Sequence, residues 1–295
     1  MVRPGSHPAA LSHLAAVSHH SPFGRKGFLM YKLTGVTRDY SKGRGTVHAL
    51  QGVDLAIDDG EWLAIQGPTG HGKSTLLQIL GGLDKPTSGS VELGGRDLTK
   101  LGERQLTKVR AASIGFIFQT FNLIPTLSAQ ENVETALVPL GVTADKRHER
   151  ARRALEDVGL GERTRHLPSE LSGGQQQRVA VARALVKEPS VLLGDEPTGN
   201  LDEGTRDEIM ALLEEMWRER GLTLVIVTHD SSVARRAQKI GLMRNGRLEV
   251  RQVGDSRRPL AGSVDDYTTD GAKGYDVGGY DNDDGERPPA RHARA

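Results

Sequence analysis

Apolar and polar positions along this chain switch repeatedly between the two-residue period of strands and the wider spacing of helices. Tyr31–Tyr40 and Val47–Ile57 read as strands and Glu61–Gln66 as a buried one, with turns at Ser41–Gly45 and Asp58-Asp59-Gly60. Thr75–Leu80 then reads as a helix ending at Gly81-Gly82, before a turn at Pro86–Gly89 and a short strand at Ser90–Leu93. From Leu98 to roughly Leu167 the spacing is mainly helical: Ala151, Leu155 and Val158 make one face, with Arg and Glu filling the other. Within that stretch Gly115–Gln119 reads as a strand and its end. Ser172 opens a helix whose body, Val179–Leu185, is apolar nearly all round and so predicted to be buried. Val191–Leu193 is a strand. A helix over about 203–219 follows, with Ile209, Leu212, Leu213 and Met216 on one face. Leu222–Val227 is again a strand, Ser231–Gln238 a helix, and Ile240–Val253 a hairpin turning at Asn245-Gly246. Alternating strands and helices predict an α/β core on a largely parallel sheet.

The two ends lack this patterning. Residues 1–29 carry Pro, Ser, Gly and four histidines (His7, His13, His19, His20) without periodicity, and residues 255–295 are rich in Gly, Asp, Arg and Pro. Both are expected to be disordered, leaving a folded domain at 30–254. The histidines have no acid or cysteine among them to complete a metal tract. Asp281–Gly285 hints at a calcium loop, but glycine stands where the third ligand belongs. The 295 residues carry a net charge of +1, which gives no footprint for nucleic acid. The chain has no cysteine, which excludes disulfides, thiolate metal sites and cysteine nucleophiles. No apolar run approaches the ~20 residues of a membrane span. A soluble, cytosolic protein is expected.

Candidate chemistry concentrates first in Gly67-Pro68-Thr69-Gly70-His71-Gly72-Lys73-Ser74-Thr75, which fits the phosphate-loop pattern. Its glycines permit turns in which successive N–H groups face one anion. Lys73 brings a mobile positive charge to β- and γ-phosphates, and the Ser74 hydroxyl suits Mg²⁺. Strand, glycine loop and helix N-terminus are the context this chemistry needs, with the helix dipole aimed at the phosphate. Downstream, Asp195 and Glu196 close a buried strand at the edge where open α/β sheets bind ligands. Asp195 is placed to hold Mg²⁺ and Glu196 to polarise an attacking water. Gln119 and His229 also follow strand ends, where an amide and an imidazole can approach metal or γ-phosphate, although either residue read alone is as well explained by structure. Leu171–Arg178 (LSGGQQQR) sets a serine cap and two glycines at a helix start, a second anion site almost a hundred residues from the first.

With that segment the chain resembles the ATP-binding subunits of ABC transporters, whose signature is LSGGQ. GPTGHGKST, Gln119, LSGGQ, Asp195-Glu196, Gly199–Asp202 and His229 stand in family order and spacing over about residues 31–252. The resemblance implies a P-loop fold with a RecA-like core sheet, an antiparallel β subdomain and a helical signature subdomain at about 97–170. It implies that the loop and Lys73 hold ATP, that Ser74, Gln119 and Asp195 serve Mg²⁺, and that Glu196 is the catalytic base with His229 as a switch. Tyr40 falls where the family stacks an aromatic on adenine. Ser172, Gly173, Gly174 and Gln175 fall where the family completes the partner protomer's site, so two copies enclose two ATPs. The implied partners are a second copy and an integral membrane permease, on the cytoplasmic face of the membrane; nucleic acid is not among them.

Phe121–Pro125, Glu131-Asn132-Val133 and Glu196–Asp202 look like the macrolide-exporter and lipoprotein-releasing types, with cell-division relatives. Phe116, Phe118 and Phe121 suggest a docking surface for a permease helix, with packing as the alternative for the first two. His71 and Gly194 depart from the usual small residue and alanine, and neither touches a required role. A DNA-repair or chromosome ATPase would carry a long coiled-coil or zinc insertion, and a ribosome-acting one two such domains. Neither feature is present.

Overall fold

The structure, a computed structural model, describes residues 28–253 apart from Arg44. The segments expected to be disordered and Asp281–Gly285 lie outside the described residues, except Phe28 and Leu29, which lead into the first strand. Two sheets organise the fold. A four-stranded sheet has the order β2-β1-β4-β5, formed by β1 (Leu29–Lys42), β2 (Gly45–Asp58), β4 (Ser88–Leu93) and β5 (Arg96–Asp97). Its pairings are antiparallel.

A six-stranded sheet has the order β10-β9-β3-β8-β7-β6. It comprises β3 (Trp62–Gln66), β6 (Ile114–Phe118), β7 (Val191–Asp195), β8 (Thr223–Val227), β9 (Lys239–Arg244) and β10 (Arg247–Gln252). All of its pairings are parallel except β10 on β9. Its central strands β3 and β8 are buried at every position because both faces are covered. Alternation along β3 divides the core. Leu63 and Ile65 face a cluster with Leu76, Ile79 and Leu80 of α1 (Lys73–Leu80) and with Leu33 and Leu55 of the antiparallel sheet. Trp62 and Ala64 face a second cluster with Val179 and Val181 of α5 (Gly173–Leu185) and Leu213 and Met216 of α6 (Glu203–Arg220). There Trp62 meets Trp217 edge-on, ring centres 5.5 Å apart, while Trp217 Nε1 donates to the Gly60 carbonyl at 2.8 Å.

The stretch from residue 97 to 170 divides between core and arm. Leu106 and Val109 of α2 (Glu103–Ser113) pack into the first cluster, and β6 is the far strand of the parallel sheet. Beyond Gln119 the chain builds α3 (Ala129–Glu134) and α4 (Ala144–Asp157), which pack with α5 through Val133, Ala151 and Leu155. The helix expected over Ser231–Gln238 is shorter. As α7 it spans only Ser231–Ala234, after which the bonds tighten, with Ala237 N–H reaching the Ala234 carbonyl. The chain must extend there, because the Gln238 N–H bonds to the Trp62 carbonyl and Lys239 pairs with Leu63.

Candidate active site

Strand register brings the separate motifs to one edge. Phe118 pairs with Asp195, Asp195 with Val227, and Val227 with Ile65, so four strands end in one row. Gln119, Glu196, Thr228 and the loop from Gly67 therefore emerge side by side at the C-terminal edge. The Glu196 N–H bonds to the Val227 carbonyl at 2.9 Å, and the Thr228 N–H to that of Ile65 at 3.0 Å.

Gly67–Gly72 turns from β3 into α1, and Gly72 caps the helix at φ 100°, a region glycine enters without strain. A Cβ there would also collide with the Ala49 carbonyl on β2, and one on Gly67 with the Met243 carbonyl on β9. Lys73 is buried and its Nζ donates to the carbonyls of Gly67 at 2.7 Å and Pro68 at 2.9 Å. Burial pulls its ammonium below the usual lysine range, opposed by Glu196 and Asp195. Ser74 Oγ stands 3.4 Å from Asp195 Oδ1. Burial pushes the Asp195 carboxyl above its ordinary value, with Glu196 adding to the rise and Ser74 and Lys73 opposing it.

Glu196 sits in the left-handed region at φ 47°. Its Oε2 lies 2.7 Å from His229 Nδ1. Gly199 closes against both neighbours: a Cβ there would lie 2.8 Å from Gln119 Nε2 and 3.2 Å from Glu196 Oε2. Gln119 and Asn200 exchange amide bonds, Gln119 Nε2 donating to Asn200 Oδ1 at 3.2 Å and Asn200 Nδ2 to the Gln119 carbonyl at 3.0 Å. Lys73, Ser74, Gln119, Asp195, Glu196 and His229 thus gather at one edge.

The signature lies elsewhere in the chain. Ser172 Oγ accepts from the Gln175 N–H and Gln175 Oε1 from the Ser172 N–H, a reciprocal cap on α5. Ser172 and Gly173 are exposed, and a Cβ on Gly174 would collide with the Thr205 methyl at the start of α6. Among the described residues their hydrogen bonds stay within this cap and do not reach the phosphate loop.

Tyr40 is held by its hydroxyl, which donates to Asp84 at 2.6 Å, and Arg38 lies 4.4 Å from its ring centre. It pairs with Val47 on β2, two positions before the Ala49 that abuts Gly72. The phenylalanines divide. A Cβ on Gly81 would collide with the Phe116 ring, and Phe118 stacks on Phe116 with centres 5.6 Å apart. Phe116, half-buried, packs against the core cluster, in line with the alternative to docking. Phe121 is a half-buried left-handed residue whose carbonyl accepts from Arg183 Nη2 at 2.7 Å.

Sequence reading marked Gly199 and Asn200 only as part of the Gly199–Asp202 segment; here Asn200 is amide partner to Gln119 and Gly199 the spacer between Gln119 and Glu196. It missed Gln177, fully buried, which donates to the Pro197 carbonyl. In the sequence Gln177 is one of three consecutive glutamines, and nothing beside it sets it apart from Gln175 and Gln176.

A parallel sheet covered on both faces, with phosphate loop, acidic strand end and capped signature, defines a phosphate-loop nucleotide hydrolase. The family model described as ABC transporter matches residues 50–199. The macrolide export ATP-binding/permease protein of Paracoccus denitrificans is 47% identical over 222 residues, covering 75% of this chain and 33% of that protein. The lipoprotein-releasing system ATP-binding protein of Geobacter metallireducens is 49% identical over 205 residues, covering 70% of this chain and 91% of that one. An ATP-binding cassette of Methanocaldococcus jannaschii, solved as a dimer with ADP and phosphate, superposes with a TM-score of 0.71 at 44% identity over 76% of this chain and 99% of that one. This chain belongs to the ABC transporter family, as one of its ATP-hydrolysing members. Among the described residues no helix is long and apolar enough to cross a membrane.

Proposed function

We propose that this chain binds ATP with Mg²⁺ at Gly67–Thr75, hydrolyses it in a sandwich of two copies, and so drives a separate permease of the export or lipoprotein-release type from the cytoplasmic face. One observation carries the reading. The hydrolytic groups converge at one sheet edge, while the capped Ser172–Gln175 turn faces outward elsewhere, where a second copy can meet it.

Phosphate arriving at the loop meets backbone N–H groups and the helix N-terminus, and Lys73 exchanges two carbonyl partners for phosphate oxygens. Glu196 takes the proton of the attacking water as its oxygen bonds to the γ-phosphorus, and ADP leaves. His229 Nδ1 stands 2.7 Å from one carboxylate oxygen and leaves the other for the water. Ser74, Gln119 and Asp195 offer hard oxygen donors that fit Mg²⁺, and the carboxyl that burial pushes up is one a nearby dication would return to its charged form. Bound there, the ion supplies neutralisation of the β- and γ-phosphate charge. Tyr40 offers the adenine a ring, a contact tolerant of detail.

Glu196→Gln keeps shape and removes the base, so hydrolysis should fall by ~10²-fold or more while ATP binding survives. By light scattering that variant should be a dimer with ATP and a monomer without, and adding Ser172→Arg should abolish the dimer. Dimerisation that ignores Ser172→Arg would take the signature off the interface and refute the sandwich.

A further inference from the structure

His71 stands in the phosphate loop where the sequence alone reads as a departure of no consequence. Its Nδ1 accepts a hydrogen bond from the Asn245 N–H at 3.0 Å, and its carbonyl accepts from the Gly246 N–H at 3.1 Å. Both donors belong to the tight turn between β9 and β10, where Asn245 and Gly246 have φ of 47° and 74°. That turn is itself anchored. The Gly246 carbonyl accepts from the Gln51 N–H at 2.8 Å, and a Cβ on Gly246 would lie 2.9 Å from the Ala49 oxygen. The loop presses on the same neighbours, Gly72 on Ala49 and Gly67 on Met243. The end of β9, its turn and the middle of β2 therefore close around the loop, and His71 is the side chain that ties them to it.

We propose that His71 is a positioning residue for nucleotide, holding the loop in its anion-receiving shape through the β9–β10 turn before ATP arrives. The bond defines the tautomer: an accepting Nδ1 leaves the ring proton on Nε2. Removing the side chain frees the Asn245 N–H and leaves, among the described residues, one hydrogen bond between loop and turn, from the Gly246 N–H to the His71 carbonyl. A loop ordered beforehand binds tighter than one that must be ordered on binding, because the conformational entropy is already spent. The proposal rests on the loop being the nucleotide site.

The test compares wild type, His71→Ala, His71→Asn and Lys73→Ala for ADP affinity by calorimetry, turnover at saturating ATP, and exchange of the Asn245 amide by NMR. Asparagine is the conservative variant, since its Oδ1 is an acceptor near the place of Nδ1. His71→Ala should raise the Kd about 2- to 12-fold, the range one side-chain-to-backbone bond carries. Its Asn245 amide should exchange faster, and His71→Asn should restore affinity and protection. Wild-type affinity in His71→Ala, or no recovery in His71→Asn, overturns the proposal while Lys73→Ala still loses ADP. A His71→Ala protein that melts lower and loses saturated turnover as well would mark general packing and overturn it too. Undiminished ADP binding by Lys73→Ala would instead refute the nucleotide site, and the positioning role with it.

Discussion

Gly199→Ala adds one methyl group at a point where the site has no room. The backbone tolerates it, since Gly199 is not among the positive-φ residues. The new Cβ would stand 2.8 Å from Gln119 Nε2 and 3.2 Å from Glu196 Oε2. Ordinary carbon contacts begin near 3.5 Å, so the amide must retreat about 0.7 Å and the carboxylate about 0.3 Å. Neither is free to do so: Gln119 is bonded to Asn200, and Glu196 stands against His229 at 2.7 Å. A misplacement of ~1 Å at a catalytic group costs ~10²-fold, so shifts of this size should slow hydrolysis about tenfold. The Gly67–Thr75 loop, the proposed phosphate site, is not touched, and ATP affinity should stay near wild type. Single-turnover phosphate release beside fluorescent-nucleotide binding separates the two. Wild-type release would refute the claim that Gly199 sets the spacing of the base. Equal losses of binding and melting temperature would relocate the effect to folding.

Lys73→Ala should abolish ATP binding or turnover, measured by calorimetry and phosphate release, because it removes the cation at the head of α1. Asp195→Asn should abolish Mg²⁺-dependent turnover yet raise the melting temperature at pH 7. Burial raises the Asp195 carboxyl above its unfolded value, so its ionisation opposes folding as pH climbs through that window. The gain should vanish at acid pH, where wild-type Asp195 is protonated in both states. Leu155→Ala, fully buried between α4 and its neighbours, should cost about 2–5 kcal/mol in denaturant unfolding. A chain of residues 30–254 should keep the melting temperature and ATPase activity of the full chain, and a large loss of either would show that a terminal segment docks on the domain.

The parallel core was legible because strands buried on both faces spell near-continuous apolar runs, as in Leu222–Val227. Loop, acidic pair and signature were legible because each is local and carries its chemistry in adjacent residues. What escaped notice depends on approach across the fold. Asn200 meets Gln119 over a separation of 81 residues, and nothing beside either residue announces the other. The histidine in the loop looked idle because its partner is a backbone N–H, and every residue but proline has one. Ser231–Gln238 kept helical spacing past the point where β9 needed an extended chain, so tertiary pairing overrode the local pattern. Alternation along β6 keeps Phe116 and Phe118 on one face, stacked on each other, while the turn after the strand sets Phe121 apart.

The paired amides of Gln119 and Asn200 lie where the arm leaves the core, one at its root and the other on the loop that follows Glu196. A load on the arm acts at Gln119 and, through these two bonds, on the loop that follows Glu196. Thermodynamic linkage makes this traffic two-way: to whatever factor nucleotide biases the arm's position, force on the arm biases nucleotide affinity by the same factor. A partner gripping the arm would therefore sense the nucleotide and also bias its affinity, without contacting a single phosphate.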